Sequence, residues 1–223
     1  MNESSGKNSK VKVIAINGSP RKEWNTATLL KKALEGAAST GAETELVNLY
    51  DLNYKGCTSC FACKIRGGES YGKCGYKDEL IPILERIAKS DALIVGSPIY
   101  LGAVTGETRS FSERLLFQYL TYTVPYHSLA PKKLKTALIY TMGQPEEQSR
   151  ERGYSYIFDS DKRYFSLIFG GAETFCCYDT YQFKDYSKFV AECFDVEHKK
   201  ERHDNIFPKE CQQAYELGVK MIQ

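Results

Sequence analysis

Residues 11–38, VKVIAINGSPRKEWNTATLLKKALEGAA, decide the fold. VKVIAI is a short β-branched run that stops at Asn17-Gly18-Ser19-Pro20. Beyond the break Leu29, Leu30, Ala33, Leu34 and Ala37 recur on one helical face. Strand, loop and helix in that order make the first half of a βαβ unit. The pattern continues, with strands expected at 43–49, 92–95, 134–140 and 172–178. Further helices are expected at 79–88, 105–120 and 208–222, and Pro208 stands where a first helical turn tolerates proline. Such alternation predicts an α/β domain with a parallel sheet covered on both faces. The polar stretch 1–10 reads as a disordered tail, and 11–223 as one domain. Residues 50–77, 121–133 and 179–207 are long connections, of a length that is usually functional or disordered.

Composition narrows the class. The chain has 223 residues, 30 Lys and Arg against 28 Asp and Glu, and a net charge of +2. That balance disfavours a nucleic-acid binder, which normally carries a basic excess. No apolar run reaches the length of a membrane span, and the N-terminal stretch lacks the apolar centre of a signal peptide. The expectation is a soluble, cytoplasmic protein. His127, His198 and His203 have no partner at ligand or triad spacing, which speaks against a Cys-His or Ser-His hydrolase.

Three loops leave C-terminal strand ends, where open parallel sheets bind ligands. The first, Asn17 to Thr26, offers a turning glycine, the hydroxyls of Ser19 and Thr26, the cations Arg21 and Lys22, and an Asn25 able to cap the helix. With the positive end of that helix, these suit a phosphate monoester; a plain capped turn is the alternative. The loop has neither the Gly-Lys-Ser/Thr ending of a nucleoside-triphosphatase loop nor the Gly-x-Gly-x-x-Gly of a dinucleotide site. The second loop, Gly96-Ser97-Pro98-Ile99-Tyr100-Leu101-Gly102, presents apolar surface on which a flat heteroaromatic ring could lie. The third is Thr141-Met142-Gly143.

Together these motifs resemble the NADPH-dependent FMN reductase and multimeric flavodoxin branch of the flavodoxin-like superfamily. The likeness rests on Gly18-Ser19-Pro20-Arg21-Lys22 with Asn25-Thr26, on Gly96-Ser97-Pro98-Ile99-Tyr100 with Gly102, and on Cys57, Cys60, Cys63 and Cys74 with Asp78. It implies a flavodoxin-like three-layer fold with a five-stranded sheet in the order 2-1-3-4-5, binding FMN. Ser19, Arg21, Asn25 and Thr26, with Ala27 beside them, would hold the phosphate. Pro98, Ile99, Tyr100, Leu101 and Gly102 would line the isoalloxazine, and Thr141, Met142 and Gly143 would approach its pyrimidine edge. Trp24 departs from the pattern, standing where such loops commonly carry Gly; it reshapes the loop or covers the flavin or a neighbouring subunit. Homodimers or homotetramers are the family expectation.

Four of the eight cysteines fall between Cys57 and Cys74. Cys57-x2-Cys60-x2-Cys63 is close to the spacing that wraps three thiolates around a corner of an iron–sulfur cube, and Cys74 can supply the fourth. Iron–sulfur flavoproteins of this superfamily hold a [4Fe-4S] cluster through a similar motif, usually with a shorter last spacing. A zinc site and a metal-free thiol loop remain the alternatives. Cys176 and Cys177, adjacent on a strand, should point to opposite faces, and Cys193 and Cys211 read as buried or half-buried packing. The run Glu197 to Asp204 reads as a solvated helix face or loop, Arg109 and Glu113 as an i,i+4 pair, and 121–127 as a flap or subunit contact.

The resulting expectation is an oxidoreductase in which NAD(P)H reduces bound FMN, with electrons passing to a quinone, a flavin or another small-molecule or protein acceptor. The rivals are an electron carrier that exchanges electrons between cluster and flavin without NAD(P)H, and a flavodoxin-like module that has lost its flavin.

Overall fold

The computed structural model describes residues 10–223, so nearly all of the expected N-terminal tail lies outside the described residues. Strands β1 (Lys12–Asn17), β2 (Glu43–Asn48), β3 (Ala92–Tyr100), β5 (Lys135–Thr141) and β6 (Glu173–Cys177) form a parallel sheet in the order β2-β1-β3-β5-β6. The two-residue strand β4 (Ala103–Val104) only folds back antiparallel on the end of β3. With β4 set aside, this is the expected 2-1-3-4-5 order. The strand order reverses between β1 and β3, so the loops after these strands open into one crevice.

Alternation along β1 divides the core. Val13 and Ala15 face helices α1 (Asn25–Ser39) and α7 (Phe207–Lys220), in a cluster with Leu29, Leu30 and Ala33. Ile14 and Ile16 face the opposite side, with α2 (Ile81–Ile87), α3 (Gly106–Phe117) and α5 (Tyr154–Phe169). Each fully buried Leu, Ile or Phe contributes about 1.5–3 kcal/mol, so both layers depend on strand runs that are apolar on both faces. Cys176 and Cys177 follow the same rule and join opposite clusters.

Helices α1 and α7 pack unusually close. A Cβ on Gly36 would lie 2.0 Å from the Tyr215 carbonyl oxygen, and one on Gly218 would lie 1.8 Å from that of Ala33. The two glycines let the helix backbones touch at both ends of the contact.

The structure adds three helices that periodicity did not isolate. Helices α4 (Glu146–Glu151) and α5 cross from β5 to β6, and α6 (Val196–Asn205) lies within the last long connection. Strand β3 also runs farther than expected, taking in Gly96 to Tyr100. Leu101 and Gly102, with φ of 51° and 81°, then form the two-residue turn into β4.

Candidate active site at the carboxyl edge of the sheet

The loop after β1 is fixed from below. The buried Asn17 side chain donates to Asn48 Oδ1 at 2.9 Å and accepts from the Ser19 N–H at 3.1 Å. Gly18 donates its N–H to the Gly96 carbonyl at 2.8 Å, and a Cβ there would lie 1.8 Å from Thr108 Oγ1. Only glycine lets the loop approach the start of α3, where Thr105 caps the helix and its hydroxyl donates to the Gly18 carbonyl at 2.7 Å.

Helix α1 begins at Asn25 rather than being capped by it. Trp24 occupies the cap position and makes no side-chain capping bond, while Asn25, Thr26 and Ala27 are buried. The N–H groups of a first helical turn have no partner within the helix. Here they are buried beside the Ser19 hydroxyl loop with no capping side chain, and the helix dipole adds positive potential. Such an arrangement has the chemistry to receive an anion. Thr26 Oγ1 lies 2.7 Å from Thr141 Oγ1, so the first and third loops meet.

Residues 179–199, within the long connection expected at 179–207, form a strap across this edge whose contacts the sequence did not reveal. Its Tyr181 carbonyl accepts from Asn25 Nδ2 at 2.9 Å and Trp24 Nε1 at 3.1 Å, and its Gln182 carbonyl accepts from Arg21 Nη1 at 2.7 Å. Trp24 thus clamps the strap to the loop. These donors of Arg21 and Asn25 are engaged by the strap.

A cavity of about 570 Å³ opens beside this edge, walled by Ile99, Leu101, Met142 and Gly143 on one side and by Phe194 and His198 of the strap on the other. It joins the second and third loops. Pro98, Tyr100 and Gly102 lie on the adjoining strand and turn but not in its wall, and Ser19, Arg21, Asn25, Thr26 and Ala27 stand outside it. A larger cavity, about 940 Å³, lies at the opposite edge beside Lys135 and Glu173, the first residues of β5 and β6. The carboxyl edge is where sheets of this kind bind ligands.

One histidine gains a partner from far along the sequence. His198 Nε2 lies 2.8 Å from Asp179 Oδ2, and the buried Lys199 ammonium pairs with Asp179 Oδ1. The run Glu197 to Asp204 is therefore solvated only on one side. Its start was legible in Asp195, which caps α6 by accepting from the His198 N–H. Cys193 is exposed rather than packed, whereas Cys211 is half-buried as expected. Arg109 and Glu113 pair at 3.1 Å. In the 121–127 segment Tyr122 packs on Phe117, which also meets Phe61, so this segment adjoins the cysteine loop.

Cys57, Cys60, Cys63 and Cys74 all line one pocket. Arg114, its side chain 1 % exposed, anchors the loop by donating to Cys74 Sγ at 3.0 Å, to the Lys55 and Tyr76 carbonyls, and to both oxygens of Asp78. Lys64 caps the end of α3 by donating to the Phe117, Gln118 and Leu120 carbonyls. Burial pushes the Cys63 thiol up, against the charge of Lys64. As thiolate donors the four residues fit a cluster in kind and number. The space does not fit: the pocket is about 20 Å³, room for one water, and among the described residues no three His, Cys, Asp or Glu side chains come close enough to hold a metal ion.

The profile of the NADPH-dependent FMN reductase family matches residues 11–145. An iron-sulfur flavoprotein of Methanocaldococcus jannaschii is 38% identical over 104 residues, which are 47% of this chain and 51% of that protein. The chain spans about half the length of the curated relatives it matches. Among solved structures, an NAD(P)H:quinone oxidoreductase from Methanothermobacter marburgensis superposes with a TM-score of 0.69 at 15% identity, covering 96% of this chain and 100% of the other. An FMN-dependent NADH-azoreductase from Bacillus anthracis, solved in complex with FMN, gives a TM-score of 0.63 at 12% identity and the same coverage. Both structural likenesses concern the fold. No helix among the described residues is long and apolar enough to cross a membrane.

Proposed function

The chain belongs to the NADPH-dependent FMN reductase family, and we propose that it is an FMN-dependent oxidoreductase that takes electrons from NAD(P)H and passes them to a quinone, a flavin or another small acceptor. The observation that carries this reading is the buried, uncapped start of α1 beside the cavity at the carboxyl edge of the sheet. When bound, FMN supplies the redox chemistry. The chain's own residues bind and orient. The Ser19 and Thr26 hydroxyls and the N–H groups of Asn25, Thr26 and Ala27 receive the phosphate, joined by the N–H groups of the Arg21 and Asn25 side chains that are not spent on the strap carbonyls. Pro98 to Gly102 line the ring system, Ile99 and Leu101 from the cavity wall, and Thr141 to Gly143 meet its polar edge. No side-chain acid is needed for this chemistry. We place the protein in the cytoplasm, as a homodimer or homotetramer.

A second reading is an electron carrier with a [4Fe-4S] cluster on Cys57, Cys60, Cys63 and Cys74, passing electrons to a protein acceptor without direct use of NAD(P)H. It is favoured by the convergence of the four thiols on one pocket. The size of that pocket speaks against it. One experiment separates the readings: anaerobically purified protein is assayed for flavin bands, iron and acid-labile sulfide, then mixed with NADPH in a stopped-flow spectrophotometer. Flavin bleaching without iron supports the reductase. Iron and sulfide with no bleaching supports the carrier, and a colourless protein that takes up no FMN removes both.

A further inference from the structure

The strap at 179–199 covers the edge of the sheet on which the proposed flavin site lies, and its one buried charge pair is aimed at that site. Lys199 and Asp179 are 4 % and 6 % exposed. The Lys199 ammonium donates to Asp179 Oδ1 and, at 2.5 Å, to the carbonyl of Gly143. Around this contact the strap is zipped to the loop after β5 by backbone bonds. The Asp179 N–H donates to the Gln144 carbonyl at 2.9 Å, and the Thr180 N–H to the Met142 carbonyl at 2.9 Å. Asp179 takes a left-handed φ of 53° to do so, a conformation Asp tolerates better than most residues. A Cβ on Gly143 would lie 3.0 Å from Gln182 Oε1, so loop and strap are in contact here as well.

Burying an ammonium and a carboxylate together adds little stability, because desolvation offsets their attraction. Such a pair fixes one arrangement of the groups it touches. Of the groups held here, Met142 and Gly143 line the cavity at the carboxyl edge, and so do Asp179 and Lys199 themselves. Phe194, on the same wall, lies under the Lys199 ammonium at 5.3 Å. None of this is required by the core, which the sheet and its two helical layers complete without the strap.

We propose that Lys199 is a positioning residue for the flavin site: through Asp179 and the Gly143 carbonyl it holds the Met142 to Gln144 loop in the geometry that receives the cofactor. This rests on the proposed FMN site, and the experiment distinguishes the two. Apo-protein is titrated with FMN by flavin fluorescence, for wild type, Lys199→Met and Lys199→Arg, with thermal melts of each apo-protein. Coupling between a remote contact and a ligand site is typically 5- to 150-fold. The Kd for FMN is expected to rise about tenfold in Lys199→Met, within that range, and to recover in Lys199→Arg, which keeps the cation. A Lys199→Met protein that binds FMN with wild-type affinity, whatever its melting temperature, overturns the proposal. If Lys199→Met does not fold, the titration is read on Asp179→Asn, where unchanged affinity overturns it equally. A wild-type protein that takes up no FMN defeats the proposed function, and this inference with it.

Discussion

Replacing Gly218 by alanine adds one methyl group where α7 crosses α1, and its effect follows from the contact. The new Cβ would stand 1.8 Å from the Ala33 carbonyl oxygen and 2.6 Å from its carbon, whereas real Cβ contacts essentially never fall below 3.0 Å. Both neighbours are backbone atoms of a helix and cannot rotate away. The helices must part by at least about an ångström, and a radial gap of that size forfeits roughly a quarter to a half of each dispersion contact across it. The contact includes buried Leu29, Ala33, Ala37 and Ala214. Overpacking of this kind costs about 1–3 kcal/mol, and more where backbone has to shift. Alanine's better helix propensity returns about 1 kcal/mol. Because backbone meets backbone, the upper end of the overpacking cost, about 3 kcal/mol, applies. The expected balance is a loss of about 2 kcal/mol, and with about 2–4 °C per kcal/mol in a domain of this size the melting temperature should fall by about 4–8 °C. Gly106→Ala is the internal control: Gly106 also sits in a helix, but a Cβ there meets nothing within 4 Å, so it should leave stability unchanged or raise it slightly. Differential scanning calorimetry on both variants reads the contrast. A Gly218→Ala protein melting at or above wild type would refute the account of the α1–α7 contact.

Two predictions concern the cysteine loop. Arg114→Met removes the donor shared by Asp78, Cys74 and the Lys55 and Tyr76 carbonyls, leaving Asp78 without its cation. Breaking a buried pair from one side costs about 3–5 kcal/mol, which urea unfolding should report; wild-type stability would mean that the loop is anchored elsewhere. The second follows from the charge on Asp78. Burial opposes its ionisation, but the Arg114 bonds and charge, with the Lys55 and Leu80 N–H groups, hold its carboxyl below the usual range. A depressed folded value means that this stabilisation is complete above the unfolded value of about 3.9 and is lost as pH falls through the folded one. Asp78→Asn should therefore flatten the dependence of stability on pH below about pH 4, as followed by circular dichroism; an acid slope identical to wild type would contradict it.

What the sequence disclosed and what it concealed have a common physical basis. β1, β3 and β5 are buried on both faces, so Val13 to Ile16, Ala92 to Val95 and Ala137 to Tyr140 stand out as apolar runs, while the expected sheet order comes from the family resemblance of the loops between them. The turn after β1 was legible for a similar reason: Gly18, Ser19 and Thr26 are chosen by local geometry that leaves a mark in adjacent residues. Helix α5 escaped because its buried positions, Phe158, Phe165, Ile168 and Phe169, are interrupted by Asp159, Asp161, Lys162 and Arg163, and its early turns leave Tyr156 largely exposed. The strap escaped for a deeper reason. Its contacts with the loop after β1 use the backbone carbonyls of Tyr181 and Gln182, which any residue type would present. Its charged contact relies on Lys199, which in the run HKKERH is indistinguishable from the exposed Lys200 beside it. Only helix phase separates the two, turning Lys199 toward Asp179 and the Gly143 carbonyl and Lys200 toward solvent. A buried lysine inside a charged run carries no composition signal, so the part of this site furthest along the chain could be seen only once the chain was folded.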